Sequence, residues 1–244
     1  QPAGFLNGLH SRRTMLRQCR SHGHFSGTNC AVCNDEGKFI MSDRESNSLG
    51  RILALVLRHA PEKFGVEMDI NGWVNARELS EAIGTQRRHY HWLRGWHFEA
   101  IANADEKGRY QVENEMIRAT YGHSIELDLD LPTDDIPEVL YYPCQTEEVE
   151  TLLEFGITAG DRKNVHLSRS IRNAMDAGHV RIHRPAILEI DTARAIVDGH
   201  TIYRAGTTVF LTDEVPGEYL YQVEDSDPMI VETVEEWTRL EEEE

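Results

Sequence analysis

Four metal-binding side chains lie within fifteen residues near the start of the chain, and they constrain this region more than any other feature. Cys19 and His22 form one pair, Cys30 and Cys33 form a second, and two residues separate the members of each pair. This spacing lets two turns close on one tetrahedral zinc ion. His24 could replace His22, and a set of free thiols is the alternative. Because four protein ligands leave no open position, the zinc would be structural.

Length and composition favour a folded chain of two small domains, or of one domain with appendages. The protein has 244 residues, of which 40% are hydrophobic and 27% charged, and about 150 residues is typical of one domain. No apolar run approaches the roughly 20 residues that cross a bilayer, and QPAGFLNGLHSRR lacks the hydrophobic region of a signal peptide. We therefore expect an intracellular, cytoplasmic protein, monomeric and without a membrane partner.

The strongly acidic charge is concentrated at one end of the sequence. Of the net charge of −17, the last 32 residues contribute −12, since they hold 13 acidic residues and the single base Arg239. The remaining chain is close to balanced. A locally basic binding site elsewhere is therefore compatible with the composition.

Residues 46–123 have the pattern of a winged-helix domain. LGRILALVLRHAPEKF has apolar residues at helical spacing, and Pro61 ends that helix. VEMDINGWV indicates a strand, an Asn-Gly turn and a strand, and VNARELSEAI a capped helix. A further amphipathic segment covers residues 90–104, and KGRYQVENEMIRATYGH predicts two short strands around a turn.

The rest of the chain has a different pattern. We expect a linker at 124–135, because IELDLDLPTDDIP is polar and contains two prolines. Short β-type runs with helical stretches at 146–155 and 170–177 predict a mixed domain over 136–224. Residues 1–45 would form a basic lead-in and a zinc knuckle. Residues 225–244 could form a short helix, but their run of glutamates favours a solvated acidic tail. The predicted fold class is α+β.

Several short motifs occur in one order at separations compatible with these domains. They are VLRHAPE, GWV, KGRY, IRATYGHS and RKNVHLS. This series resembles the RNA 2′-phosphotransferase family, which removes an internal 2′-phosphate from spliced tRNA with NAD as co-substrate. The resemblance covers about residues 46–222 and implies a winged-helix lobe packed on an ADP-ribosyltransferase-like lobe.

The resemblance implies an Arg-His-Arg-Arg catalytic set. By motif match it falls on Arg58, His59, Arg109 and Arg162. Guanidinium groups suit a 2′-phosphate, because paired charge-assisted hydrogen bonds can hold a dianion in line with the reacting ribose carbon of NAD. The products would be 2′-OH RNA, nicotinamide and ADP-ribose 1″,2″-cyclic phosphate. Arg58 and His59 alone have a simpler interpretation as helix capping, since cations are also favourable at the last turn of a helix.

The resemblance also implies residues that bind NAD. The candidates are Ser168 and His166 in VHLS, His123 in GHS, and Tyr142. The family has Leu-Tyr-His-Gly-Thr where this chain has LYYPC, and an Asn-Gly turn where it has Thr207-Thr208. These departures leave two alternatives open. The protein could ADP-ribosylate a terminal nucleic-acid phosphate, or it could be a non-catalytic RNA-binding module.

Overall fold

The protein divides into two compact units. The computed structural model describes residues 15–160 and 163–242. The first unit runs to Glu106 and includes Tyr110–Ala119, whereas the second comprises Lys107–Arg109 and the chain from Thr120 onward. Both units combine helices with antiparallel sheets, in agreement with the α+β class. Among the described residues, no helix is both long and apolar enough to cross a lipid bilayer.

The first unit contains three helices and two small sheets within the described residues. Its elements in chain order are β1 (Met15–Cys19), β2 (Gly23–Gly27), β3 (Lys38–Ser42), α1 (Asp43–Arg58), β4 (Val74–Asn75), α2 (Ala76–Gln86), α3 (Gly95–Ala104), β5 (Tyr110–Glu113) and β6 (Met116–Ala119). One sheet has the order β2-β1-β3 and the other β4-β6-β5. The predicted helices and the hairpin of KGRYQVENEMIRATYGH are present. Of the two strands expected in VEMDINGWV, the first forms only a single bridge between Met68 and Val74, and the second, β4, pairs with β6.

Local capping explains where the first two helices begin. Ser42 and Glu45 form a capping box at the start of α1, in which each side chain bonds the backbone N–H of the other residue. The side chain of Asn75 accepts hydrogen bonds from the N–H groups of Arg77 and Glu78 at the start of α2. The buried faces of these helices, including Leu53, form one core with β1, β4 and β6.

The second unit is built on one antiparallel sheet. Its elements are β7 (Val139–Cys144), α4 (Val149–Phe155), β8 (Ile157–Thr158), β9 (Val165–Ser168), α5 (Ile171–His179), β10 (Ala186–Asp191), α6 (Thr192–Val197), β11 (Tyr203–Arg204), β12 (Val209–Thr212), β13 (Glu214–Val215), β14 (Leu220–Gln222) and α7 (Pro228–Glu242). The main sheet has the order β11-β12-β9-β7-β10-β14, and β8 pairs with β13. The β-type runs and the two helical stretches predicted here are present.

The C-terminal segment is helical over residues 228–242, so the short-helix alternative holds there and a wholly solvated tail does not. These residues form α7, which packs against α5. Ile230 is buried, and Val234 and Trp237 pack on the same small core. The Trp237 ring stacks on His179 of α5, with ring centroids 3.9 Å apart. Apolar residues at helical spacing therefore outweigh the acidic charge of the segment.

Candidate functional site

The Cys/His cluster has the geometry of a metal site. The ligand atoms of Cys19, His22, Cys30 and Cys33 all lie within 4.8 Å of one another. Cys19 Sγ is 3.5 Å from His22 Nδ1 and 3.6 Å from Cys33 Sγ, and Cys30 Sγ is 3.6 Å from His22 Nδ1. A tetrahedral zinc ion with bonds of about 2.3 Å to sulfur and about 2.0 Å to nitrogen separates its ligand atoms by about 3.5–3.8 Å. The residues therefore fit zinc.

The register of the β1–β2 hairpin selects His22 rather than His24. Cys19 lies opposite Gly23 at the end of the hairpin, so the intervening turn carries His22 back over Cys19. His24 lies opposite Gln18, and its Nδ1 is 3.2 Å from Nδ2 of Asn103 on α3. His22, and not His24, therefore lies with the three cysteines.

Backbone groups prepare one thiol for metal binding. The N–H groups of Cys33 and Val32 bond Cys30 and lower the pKa of its thiol to about 6. The thiolate is the form that binds metal. In the same loop, the Cys30 N–H donates to Asp35 O and the Asn34 N–H donates to Cys30 O. The loop that follows Cys33 is therefore hydrogen-bonded to the backbone of Cys30.

Arg17 and Gly37 fix this loop to β1. The buried Arg17 side chain donates to the carbonyls of Glu36 and Gly37, each at 3.2 Å, and pairs with the Glu36 carboxylate at 3.0 Å. Gly37 has φ +67, and a Cβ there would lie 2.8 Å from the carbonyl oxygen of Gln18. Only glycine fits this close approach without displacement.

Arg58 and His59 lie at the end of α1. Arg58 is the last helical residue, and the His59 N–H donates to Leu55 O at 3.1 Å. The Arg58 guanidinium carbon lies 6.0 Å from the centroid of the Tyr110 ring, at the limit of a cation–π contact. The Tyr110 hydroxyl in turn donates to Gly50 O of α1. Arg58 is half-buried, whereas His59 is exposed.

Arg109 belongs to a short segment that the second unit holds in place. The Thr120 N–H donates to Arg109 O, and the Thr120 hydroxyl donates to Gly108 O at 2.7 Å. The Thr207 N–H donates to Lys107 O at 3.3 Å. The Arg109 side chain is exposed. The remaining member of the predicted set, Arg162, lies outside the described residues.

The second unit contains a cavity of about 370 Å³ that includes two of the predicted NAD contacts, His123 and His166. His166 Nδ1 lies 3.0 Å from Asn164 O, and the His166 ring meets the Tyr121 ring edge-on. The described residues that line it are Gly122, His123, Ile125, Leu127, Asp128, Leu129, Asp130, Leu131, Lys163, Asn164, His166, Tyr203, Leu211 and Asp213. A cavity of this size is typical of small-molecule sites.

The other two predicted contacts do not line this cavity. Ser168 is buried at the end of β9. Tyr142 is half-buried and packs against the core of the second unit. Pro143, which stands where the resemblance implies a glycine, lies within β7 opposite Ile187 of β10. On the other side of β7, pairing with β9 among the described residues is confined to Tyr141 and Ser168, so Pro143 lies beyond that pairing. Burial of the next departure, Cys144, raises the pKa of its thiol to about 11.

Sequence reasoning missed the wall that residues 125–131 contribute to the cavity. This segment was expected to be a linker, and it forms neither helix nor strand. Its apolar residues alternate with acidic ones, and Ile125, Leu127, Leu129 and Leu131 all line the cavity. That alternation was the available signal, but two nearby prolines favoured the linker interpretation.

Comparison with known proteins places the chain in one family. Residues 43–214 match the model of the RNA 2′-phosphotransferase, Tpt1 / KptA family. A protein of Methanosarcina barkeri (strain Fusaro) named "Probable RNA 2′-phosphotransferase" is 40% identical over 211 residues, covering 86% of this chain and 100% of the relative. A Thermoplasma acidophilum protein of the same name is 40% identical over 222 residues, with 91% and 92% covered. A Haloarcula marismortui relative of that name is 31% identical over 220 residues, with 86% and 98% covered. This chain is therefore a member of the RNA 2′-phosphotransferase family.

Proposed function

We propose that the protein is an NAD-dependent transferase that removes an internal 2′-phosphate from RNA, of the type left by tRNA splicing. The products are 2′-OH RNA, nicotinamide and ADP-ribose 1″,2″-cyclic phosphate. Family membership carries this proposal, since the match spans the motifs that contain Arg58, His59 and Arg109. We further propose that residues 46–123 act as a winged helix and residues 136–224 as an ADP-ribosyltransferase-like domain.

The cavity of the second unit fits the chemistry of NAD. Carboxylates such as Asp128 and Asp130 can accept hydrogen bonds from ribose hydroxyls. Lys163 and the two histidines can donate to phosphate oxygens, and Lys163 is exposed beside Glu126 at 3.6 Å. The apolar side chains of residues 125–131 supply a surface on which a base of NAD can pack. NAD would supply the ribose carbon that accepts the phosphate, together with nicotinamide as leaving group.

The proposed roles of the catalytic set follow from charge. Arg58, Arg109 and Arg162 bind the 2′-phosphate and orient it, which lowers the barrier by positioning and by charge stabilisation. The phosphate dianion needs no deprotonation before attack. His59 serves the second step, in which a ribose hydroxyl must lose a proton, either as proton acceptor or as a charged clamp. Its exposed position at the end of α1 leaves the imidazole accessible.

One assay tests the proposed reaction against its alternatives. The protein is incubated with RNA that carries a single internal 2′-phosphate, with and without NAD. Release of cyclic ADP-ribose phosphate supports the proposal. ADP-ribosylated RNA that persists indicates modification without the second step, and RNA retention without turnover indicates a binding module.

Variants test the assignment of residues in the same assay. Arg58→Ala and Arg162→Ala should abolish turnover. Arg77→Ala is the matched control, because Arg77 is an exposed arginine of α2 whose side chain forms an ion pair with Glu81 at 3.0 Å. His166→Ala should raise the KM for NAD more than the KM for RNA. Full activity of the Arg58 and Arg162 variants would refute the assignment.

We also propose that the Cys19–His22–Cys30–Cys33 cluster binds a structural zinc ion. The ligand separations support this, as does the lowered pKa of the Cys30 thiol. With all four positions held by protein, the metal contributes to folding rather than to the reaction. Elemental analysis of the purified protein should find one zinc per chain.

A further inference from the structure

The connection between α2 and α3 is free of acidic residues in a strongly acidic protein. Residues 82–98 contain no Asp or Glu, although the chain carries a net charge of −17. The same stretch holds Arg87, Arg88 and Arg94, and all three side chains are exposed. Among the described residues, no carboxylate forms an ion pair with any of them. The connection is therefore a local positive surface.

Hydrogen bonds and buried anchors hold these cations in one place. Tyr90 and Leu93 point into the core of the first unit and are 1% and 2% exposed. Arg94 Nη1 donates to the carbonyls of His91 and Leu93, at 3.0 and 2.6 Å. His91 Nδ1 lies 3.0 Å from Arg88 O. Side-chain to backbone hydrogen bonds thus stabilise the turn formed by residues 88–94, and this turn carries the exposed cations.

An exposed tryptophan lies next to this turn. Trp96 is in the first turn of α3 and is 49% exposed. Its ring stacks on the His97 ring with centroids 3.7 Å apart and an interplanar angle of 24°. His97 is itself buried and meets Trp92 edge-on. One face of the indole is therefore supported by a packed side chain, while the ring remains open to solvent.

We propose that Arg87, Arg88, His91, Arg94 and Trp96 form a docking surface for a single-stranded segment of RNA. We call these five residues the Arg–Trp patch. Trp96 stacks on an unpaired base, and the arginines bind flanking phosphates. A polyanion complements a patch that carries only positive charge, and a base offers the flat apolar face that the supported indole can cover. The choice of RNA rests on the proposed function.

Binding experiments with the full-length protein test the patch apart from catalysis. The probe is a fluorescently labelled single-stranded RNA of about 20 nucleotides without a 2′-phosphate. Base stacking on an aromatic side chain is worth about 1–3 kcal/mol, so Trp96→Ala should weaken binding by about 5- to 140-fold. Trp96→Phe should retain most of the affinity. Phe155→Ala, which removes an exposed aromatic residue of α4, should have no effect.

Salt dependence tests the arginines. Each phosphate contact to a single strand contributes about 0.7 to the slope of log K against log salt concentration. The double variant Arg87→Gln/Arg88→Gln should therefore reduce that slope by about 1.4. Arg94 is left intact, because its hydrogen bonds brace the turn. Arg77→Gln in α2 is the control for a lost surface charge, and its slope should match the wild type.

The outcomes separate the patch from the proposed reaction. Loss of RNA affinity on Trp96→Ala, with kcat unchanged at saturating 2′-phosphorylated RNA, supports both. The same loss of affinity in a protein that shows no phosphotransferase activity supports the patch and rejects the function. Unchanged RNA affinity in Trp96→Ala overturns the patch, as does binding of an acidic peptide in place of RNA. Thermal melting of each variant distinguishes lost contacts from lost folding.

Discussion

Gly108→Ala should impair both stability and turnover, because this glycine lies against another backbone segment beside Arg109. Gly108 has φ +62, a conformation that costs other residues about 1–2 kcal/mol. An added Cβ would lie 2.9 Å from the Thr207 nitrogen and 3.0 Å from its hydroxyl oxygen, about 0.5 Å closer than an ordinary contact. Relief of that contact would break the Thr207 to Lys107 hydrogen bond, worth about 0.5–1.5 kcal/mol. The free energy of unfolding should fall by about 1.5–3.5 kcal/mol in total.

Gly65→Ala isolates the conformational part of this effect. Gly65 has φ +65, and an added Cβ there would meet no atom within 4 Å. Its substitution should lower the free energy of unfolding by only about 1–2 kcal/mol. Urea unfolding of both variants measures the difference. Equal losses in the two variants would refute the argument from close approach.

Measurement of kcat tests whether the close approach of Gly108 to Thr207 positions Arg109 for the reaction. If Arg109 orients the 2′-phosphate, a displacement of about 0.5 Å should lower kcat about 10-fold, since about 1 Å can cost about 100-fold. Gly65→Ala should leave kcat unchanged. A Gly108→Ala enzyme with the wild-type kcat would mean that Arg109 is not positioned through Lys107–Arg109, or that it does not contact the reacting group.

Two further predictions concern the metal cluster and the C-terminal helix. Cys30→Ser should lose the bound zinc in elemental analysis, whereas His24→Ala should keep it; unchanged zinc in the serine variant would remove the metal site. Arg172 holds the pKa of the Glu236 carboxyl below its usual range. This ion pair therefore contributes to stability above the ordinary pKa of about 4.3, and the contribution is lost as the pH falls through the lowered value. Stability measured against pH should show that loss in the wild type, and Glu236→Gln should not show it.

Sequence reasoning succeeded where the determining interactions are local. The caps at Ser42 and Asn75 bond groups only two or three residues further along the chain, so the sequence alone indicates where α1 and α2 begin. Both helices are present. The Cys/His cluster was predictable for the same reason, because its ligands are close in sequence. The choice between His22 and His24 was not, since it depends on strand register and on Asn103 of α3.

Features that depend on distant residues were harder to predict. The position of Arg109 depends on the turn at Thr207, about a hundred residues later in the chain. The cavity combines residues 122–131 with β9, β11 and β12, so no single segment reveals it. Helix α7 is a different case, because its acidic charge favours a solvated tail whereas Ile230, Val234 and Trp237 recur at helical spacing and pack on one core.

The Cys/His cluster and α7 both pack on elements that carry proposed substrate contacts. Both lie outside residues 43–214, which match the family model. Strand β2 of the metal hairpin packs on α3, whose first turn carries Trp96, and α7 packs on α5, which contacts β7 and β9. The Cys/His hairpin and α7 therefore each support an element that carries proposed substrate contacts, RNA in the first unit and NAD in the second. Since a packed helix transmits loosening to the side chains at its ends, loss of the metal should weaken RNA binding more than NAD binding. Loss of α7 should weaken NAD binding more than RNA binding.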